Sequence, residues 1–66
     1  MKRVLIIPQP DLFGAVHEYV VSLEEGRRRK MLGIVARLPG AMRLARNSKA
    51  RHAAKRITVL REVPHD

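Results

Sequence analysis

A chain of 66 residues with no cysteine has neither disulfides nor thiolate metal sites to staple it, so an apolar core alone must hold it together. Phe13 and Tyr19 are its only aromatics, which leaves Val, Leu, Ile, Met and Ala to build that core. A domain of this size buries only about 60% of the surface its unfolded chain exposes. The expectation is one domain spanning residues 1–66, of marginal stability, with room for one pair of packed layers and none for a deep substrate pocket.

Charge is the second constraint. The net charge is +8, and it is segregated: Asp11, Glu18, Glu24 and Glu25 stand with no Lys or Arg between residues 4 and 26, and the twelve basic residues from Arg27 to Arg61 include no acid among them. At this chain length such a charge repels itself until a negatively charged partner relieves it. The bland alternative is a solvated basic face that only keeps a small protein in solution.

Residues 2–7 (KRVLII) read as a strand, aliphatic on both faces and closed by Pro8 and Pro10. If it lies at a sheet edge, its free backbone groups invite strand addition over the first seven residues. Pro10 and Asp11 suit the first turn of a helix running to about Glu25, with Leu12, Val16, Tyr19, Val20 and Leu23 on one face. Met31, Ile34, Val35 and Leu38 repeat at i, i+3, i+4 and i+7 and predict a second helix over 28–38, broken by Pro39 and Gly40. Residues 41–56 are good helix formers with basic residues all round, and Asn47-Ser48 reads as a kink or restart. Residues 57–63 (ITVLREV) alternate as a closing strand that Pro64 ends. The predicted class is α+β, a small single domain of order β-α-α(-α)-β, its terminal strands paired in a two-stranded sheet packed on the helices.

Two basic clusters are the candidate binding residues: Arg27, Arg28, Arg29 and Lys30 between the first two predicted helices, and Arg43, Arg46, Lys49, Arg51, Lys55 and Arg56 on the third. Both chemistries open to them are good ones. Lys and Arg on phosphates release condensed counterions; Arg also forks onto carboxylates, so an acidic protein surface serves equally. Leu12, Phe13 and Tyr19 are read as core, which leaves no aromatic to stack on single-stranded bases. A ribbon-helix-helix DNA binder would carry polar side chains along its strand, where this chain has four aliphatics after Lys2 and Arg3. His17, His52 and His65 share no ligand spacing, no nucleophile-base pair or phosphate loop is legible, and RRRK is also a weak nuclear-import match. The chain is thus expected to have no enzymatic activity, no metal and no cofactor, and to take no small-molecule substrate. The longest apolar run, Val4 to Ile7, falls far short of a membrane span or signal core, so no membrane association and a cytoplasmic location, in an infected host if the chain is viral, are expected.

The layout resembles the small regulators of host RNA polymerase made by lytic phages, among them one from a Xanthomonas phage. The stretches that carry the likeness are VLII, FGAVHEYVVSLEEG, RRRK, RLPGAMRLARNSKARHAAKR and ITVLREV. The resemblance implies a non-catalytic transcription regulator that binds the polymerase largest subunit and surfaces near the RNA exit path, inhibits initiation and suppresses termination; the basic segment adds the expectation of contact to nascent RNA or DNA. It assigns no role to any single residue. The alternative is a plain basic DNA- or RNA-binding module, ribosome-associated or DNA-coating.

Overall fold

The computed structural model describes residues 1–60. Its elements run β1 (Lys2–Pro10), β2 (Val16–Glu25), β3 (Arg28–Val35), α1 (Leu38–Arg51) and β4 (Arg56–Val59), in a four-stranded sheet of order β3-β2-β1-β4. The predicted two-stranded sheet with several helices is therefore wrong. The terminal strands do pair, in parallel, but as half of a larger mixed sheet crossed by one helix. Residues 61–63 of the predicted closing strand lie outside the described residues.

Both misread helices are strands of one meander. In β2, Tyr19, Val20 and Val21 are the aromatic and β-branched residues that fit a pleated surface, and Tyr19, Val21 and Leu23 turn to one face. Gly26 and Arg27 then make a two-residue hairpin, closed by Glu25 opposite Arg28. Gly26 takes the first central position at φ +61 while Arg27 keeps a negative φ, the pattern of a Gly-X turn whose twist matches the strands. Gly26→Ala is expected to cost about 1–2 kcal/mol, read as a shift in urea midpoint.

In β3 the helix-like spacing has a specific cause. A bulge opposite Val21 and Ser22 inserts Leu32 into the strand, so Met31 and Ile34 share a face although they stand at i and i+3. Leu32 and Val35 turn instead to the core.

α1 begins where the sequence suggested a break. Arg37 is extended (φ −130, ψ 147) and Pro39 occupies the first turn, where a missing N–H costs nothing. The helix lies on the sheet through small side chains, Ala41, Ala45 and Ser48, all buried. Contact is close enough that a Cβ built on Gly33 would come within 2.9 Å of Leu44 Cδ2. Its C-terminus is a Schellman motif: Ala54 N–H donates to the Lys49 carbonyl, Ala53 N–H to that of Ala50, and Ala53 sits in the left-handed region at φ 54. An alanine there is strained, so Ala53→Gly is expected to raise stability by about 0.5–1 kcal/mol in thermal unfolding.

The core lies between this helix and one sheet face: Val4, Ile6, Val21, Leu23, Ala41, Ala45 and Ala54, flanked by Tyr19, Leu32, Val35, Met42, Leu44 and Ile57. β1 is central, not at an edge. Leu5 and Ile7, on its other face, are also buried. The carbonyls of Lys2 and Ile6 accept from the β4 side, at Lys55 and Leu60, so by alternation the nitrogens of Pro8 and Pro10 face that same side, past the end of β4. Among the described residues no strand there asks a donor of them.

Candidate basic surface

The helix divides its cations cleanly from its core contacts. With Ala41, Ala45 and Ser48 against the sheet, Arg43, Arg46 and Arg51 are exposed and Lys49 is half-buried, so the basic residues do not lie all round. No acid stands in the first turn of α1, and among the described residues none of the four cations has a carboxylate within ion-pair distance. Lys49 and Arg51 also occupy the last turn, where positive charge suits the helix dipole. Arg43 and Arg46 have no such structural use, and neither residue 47 nor residue 50 offers a counter-charge on the same face.

The rest of the predicted set is dispersed. Lys55 lies in the bend after the helix, and Arg56 is on β4, in register with Arg3. Arg27 occupies the hairpin turn. Arg28 and Lys30 sit opposite Glu25 and Leu23 on the helix side, while Arg29 turns to the other face. The first cluster is thus a strand end with its side chains split between two faces.

The carboxylates are largely engaged. Glu24 accepts from Arg3 Nε at 2.6 Å and from Arg29 Nη2 at 3.1 Å. These two guanidiniums, Arg3 foremost, hold the Glu24 carboxyl below its ordinary range. Across the sheet this makes a row Arg29, Glu24, Arg3, Arg56, beside a shallow depression lined by Met1, Arg3, Glu24, Gly26 and Arg56. Arg3 was not among the sequence candidates, since only the register shows it beside Arg56.

Asp11, expected near a helix start, instead organises the β1–β2 loop. Its Oδ1 accepts the backbone N–H groups of Phe13 and Ala15 at 2.8 and 3.0 Å, and its Oδ2 lies 2.7 Å from His17 Nε2. The Phe13 N–H, then His17 and Ala15, lower the Asp11 pKa. A carboxyl whose folded pKa lies below its unfolded one stabilises the fold above the unfolded value and ceases to as pH falls through the folded one. Amide exchange at Phe13 and Ala15, corrected for its intrinsic pH dependence, should therefore rise as the pH falls through and below the ordinary aspartate range; Asp11→Ala should show the raised rate already at neutral pH. The loop carries Leu12 and Phe13 at 100% and 93% exposure, so neither is core, and of the three residues so read only Tyr19 packs against it.

Among the described residues no group of three or more His, Asp or Glu could hold a metal ion, and no helix is long and apolar enough to cross a membrane. Comparison with protein-family models, with curated proteins and with solved structures finds no match.

Proposed function

We propose that the protein is a non-catalytic binding module that grips a nucleic-acid backbone through the solvent face of α1. The observation that carries this is the cation set Arg43, Arg46, Lys49 and Arg51, without a paired carboxylate among the described residues, on a helix packed by its opposite, small-residue stripe. A rigid helix bearing only positive charge follows phosphates by electrostatics and counterion release, and requires no aromatic stacking. Such binding is sequence-tolerant and steeply dependent on salt. The test is fluorescence anisotropy with duplex DNA, single-stranded DNA and RNA over a range of salt: log K should fall linearly with log salt with a slope of about −3 to −4 on duplex. A salt-insensitive affinity would sink the reading.

A second reading, regulation of a bacterial RNA polymerase in the cytoplasm, is favoured by the division of the surface. The β1–β2 loop presents Leu12 and Phe13 beside Asp11 and exposed Glu18, a surface chemically unlike the basic helix. A transcription complex offers protein surface and nucleic acid together, and two chemically distinct faces on one small domain suit it. Pull-down from bacterial lysate with and without nuclease separates the two readings. Polymerase subunits retained after nuclease, with inhibited initiation in vitro, support the regulator; loss of all bound material leaves the nucleic-acid module.

A further inference from the structure

We propose that the outer edge of β3 is a docking strand for an extended acidic segment of a partner protein, added to the sheet by backbone pairing. This does not depend on how α1 is used. The two edges of the sheet are treated differently. On one side, among the described residues, β4 is four residues long, and β1 next to it carries Pro8 and Pro10, which have no N–H to offer. On the other side β3 runs eight residues, Arg28–Val35, and contains no proline.

The ladder says which groups are free. Glu25 closes the hairpin against Arg28, so by alternation Arg28 and Lys30 bond to β2, and after the bulge Gly33 and Val35 do so; Arg29, Met31 and Ile34 turn their N–H and C=O groups outward. The side chains of Met31 and Ile34 are 60% and 54% exposed along that edge. An incoming strand meets a basic half, Arg28 to Lys30, and then an apolar half.

Cationic edge residues commonly serve to repel strands like themselves. They do not repel a strand that carries carboxylates, so the same residues that discourage β3 from pairing with a second copy select an acidic partner. A second copy brings a net charge of +8 and the identical basic run. The occupant that fits is an extended peptide with Glu or Asp opposite Arg28 to Lys30 and aliphatic side chains opposite Met31 and Ile34, held by main-chain hydrogen bonds with side chains setting specificity.

The experiment uses the whole chain, isotope-labelled, and a capped synthetic peptide of about eight residues whose first part alternates Thr and Val and whose last part is Glu, which sets the carboxylates against the basic half in antiparallel pairing. A peptide with Lys in place of Glu is the control. Near 90% occupancy, amide exchange at Arg29, Met31 and Ile34 should slow about tenfold, while the β4 side is unchanged. Met31→Pro, which removes only an outward N–H at an edge where proline is tolerated, should weaken binding about tenfold. The double variant Met31→Ser, Ile34→Ser keeps every backbone group and every charge and should weaken it as much. The proposal is overturned if the peptide perturbs only α1, if the Lys control protects the same amides, or if protection at β3 grows with protein concentration in the absence of peptide. Duplex DNA titrated into the same sample reads α1 separately, so either surface can fail without the other.

Discussion

Replacing Arg43, Arg46, Lys49 and Arg51 together by glutamine will flatten the salt dependence of duplex DNA binding to near zero and lower affinity at 50 mM salt by at least about two orders of magnitude. The arithmetic rests on counterion release: each phosphate contact contributes about −0.9 to the slope of log K against log salt, so four contacts account for roughly −3.6. The wild type should lose a little over two decades of affinity between about 50 and 200 mM salt on the same basis, and the variant almost none. Halving the substitution sharpens the result. Arg43→Gln with Arg46→Gln touches no structural role, whereas Lys49→Gln with Arg51→Gln also removes charge from the last helical turn and should cost about 0.3–1 kcal/mol of stability. Circular dichroism distinguishes a helix that has melted from one that has lost its ligand. Adding Lys55→Gln and Arg56→Gln should change little, because those residues leave the helix for the bend and β4. If the six-residue variant loses far more than the four-residue one, the binding surface is not α1. If the target is instead an acidic protein surface, the four-residue variant slows association and leaves a residual apolar contact.

What the sequence disclosed about this surface and what it concealed have the same origin. Basic residues and good helix formers over 41–56 predict an exposed cationic helix whatever the tertiary arrangement, and α1 matches that prediction in type while starting earlier and ending sooner. β1 and the start of β4 were legible for the opposite reason, since short aliphatic, β-branched runs have few alternatives, although β1 continues through Pro8 to Pro10 and does not close before them. The central meander failed on periodicity. In residues 12–23, a loop with Leu12 and Phe13 in solvent joins a strand buried on both faces at Val20 and Val21 or nearly so, and apolar residues from two environments happen to fall at helical intervals. In residues 31–38 the bulge at Leu32 shifts the two-residue alternation by one and imitates an i, i+3 repeat. The hairpin signal was there at Gly26-Arg27, bracketed by Glu-Glu and Arg-Arg, but a glycine at that place also suits the end of a helix running to about Glu25. The strand register turns that pattern into cross-strand contacts, Lys2 with Glu25 at 4.0 Å and Arg3 and Arg29 with Glu24. The basic clusters could be named from the sequence, yet only the fold shows that the first lies at a strand end and that four of the second, Arg43, Arg46, Lys49 and Arg51, share one helix.

Ile6→Ala, at the centre of the sheet, should leave the protein largely unfolded at 37 °C. Ile6 is 0% exposed and stands in register with Val21 on one side and Val59 on the other, beneath the helix. Truncating a buried isoleucine costs about 2–5 kcal/mol in transfer and cavity terms. A domain of 66 residues has roughly 3–10 kcal/mol of total stability on the usual per-residue scale, so the loss is a large part of the whole. Each kcal/mol shifts the midpoint by about 4–8 °C at this size, which predicts a fall in Tm of at least about 10 °C. Val21→Ala, fully buried on the neighbouring strand, belongs with it at the lower end of that range. Leu12→Ala and Ile34→Ala belong at the other extreme, within about 0.5–1 kcal/mol of wild type, because Leu12 is wholly exposed and Ile34 more than half so. The contrast decides between architectures as well as magnitudes. Two amphipathic helices over 12–25 and 28–38 would place Leu12 and Ile34 in the core and leave Val21 off the packed stripe, so they require the reverse order of costs. Urea melts of the four variants, with m-values to verify two-state unfolding, settle that order directly.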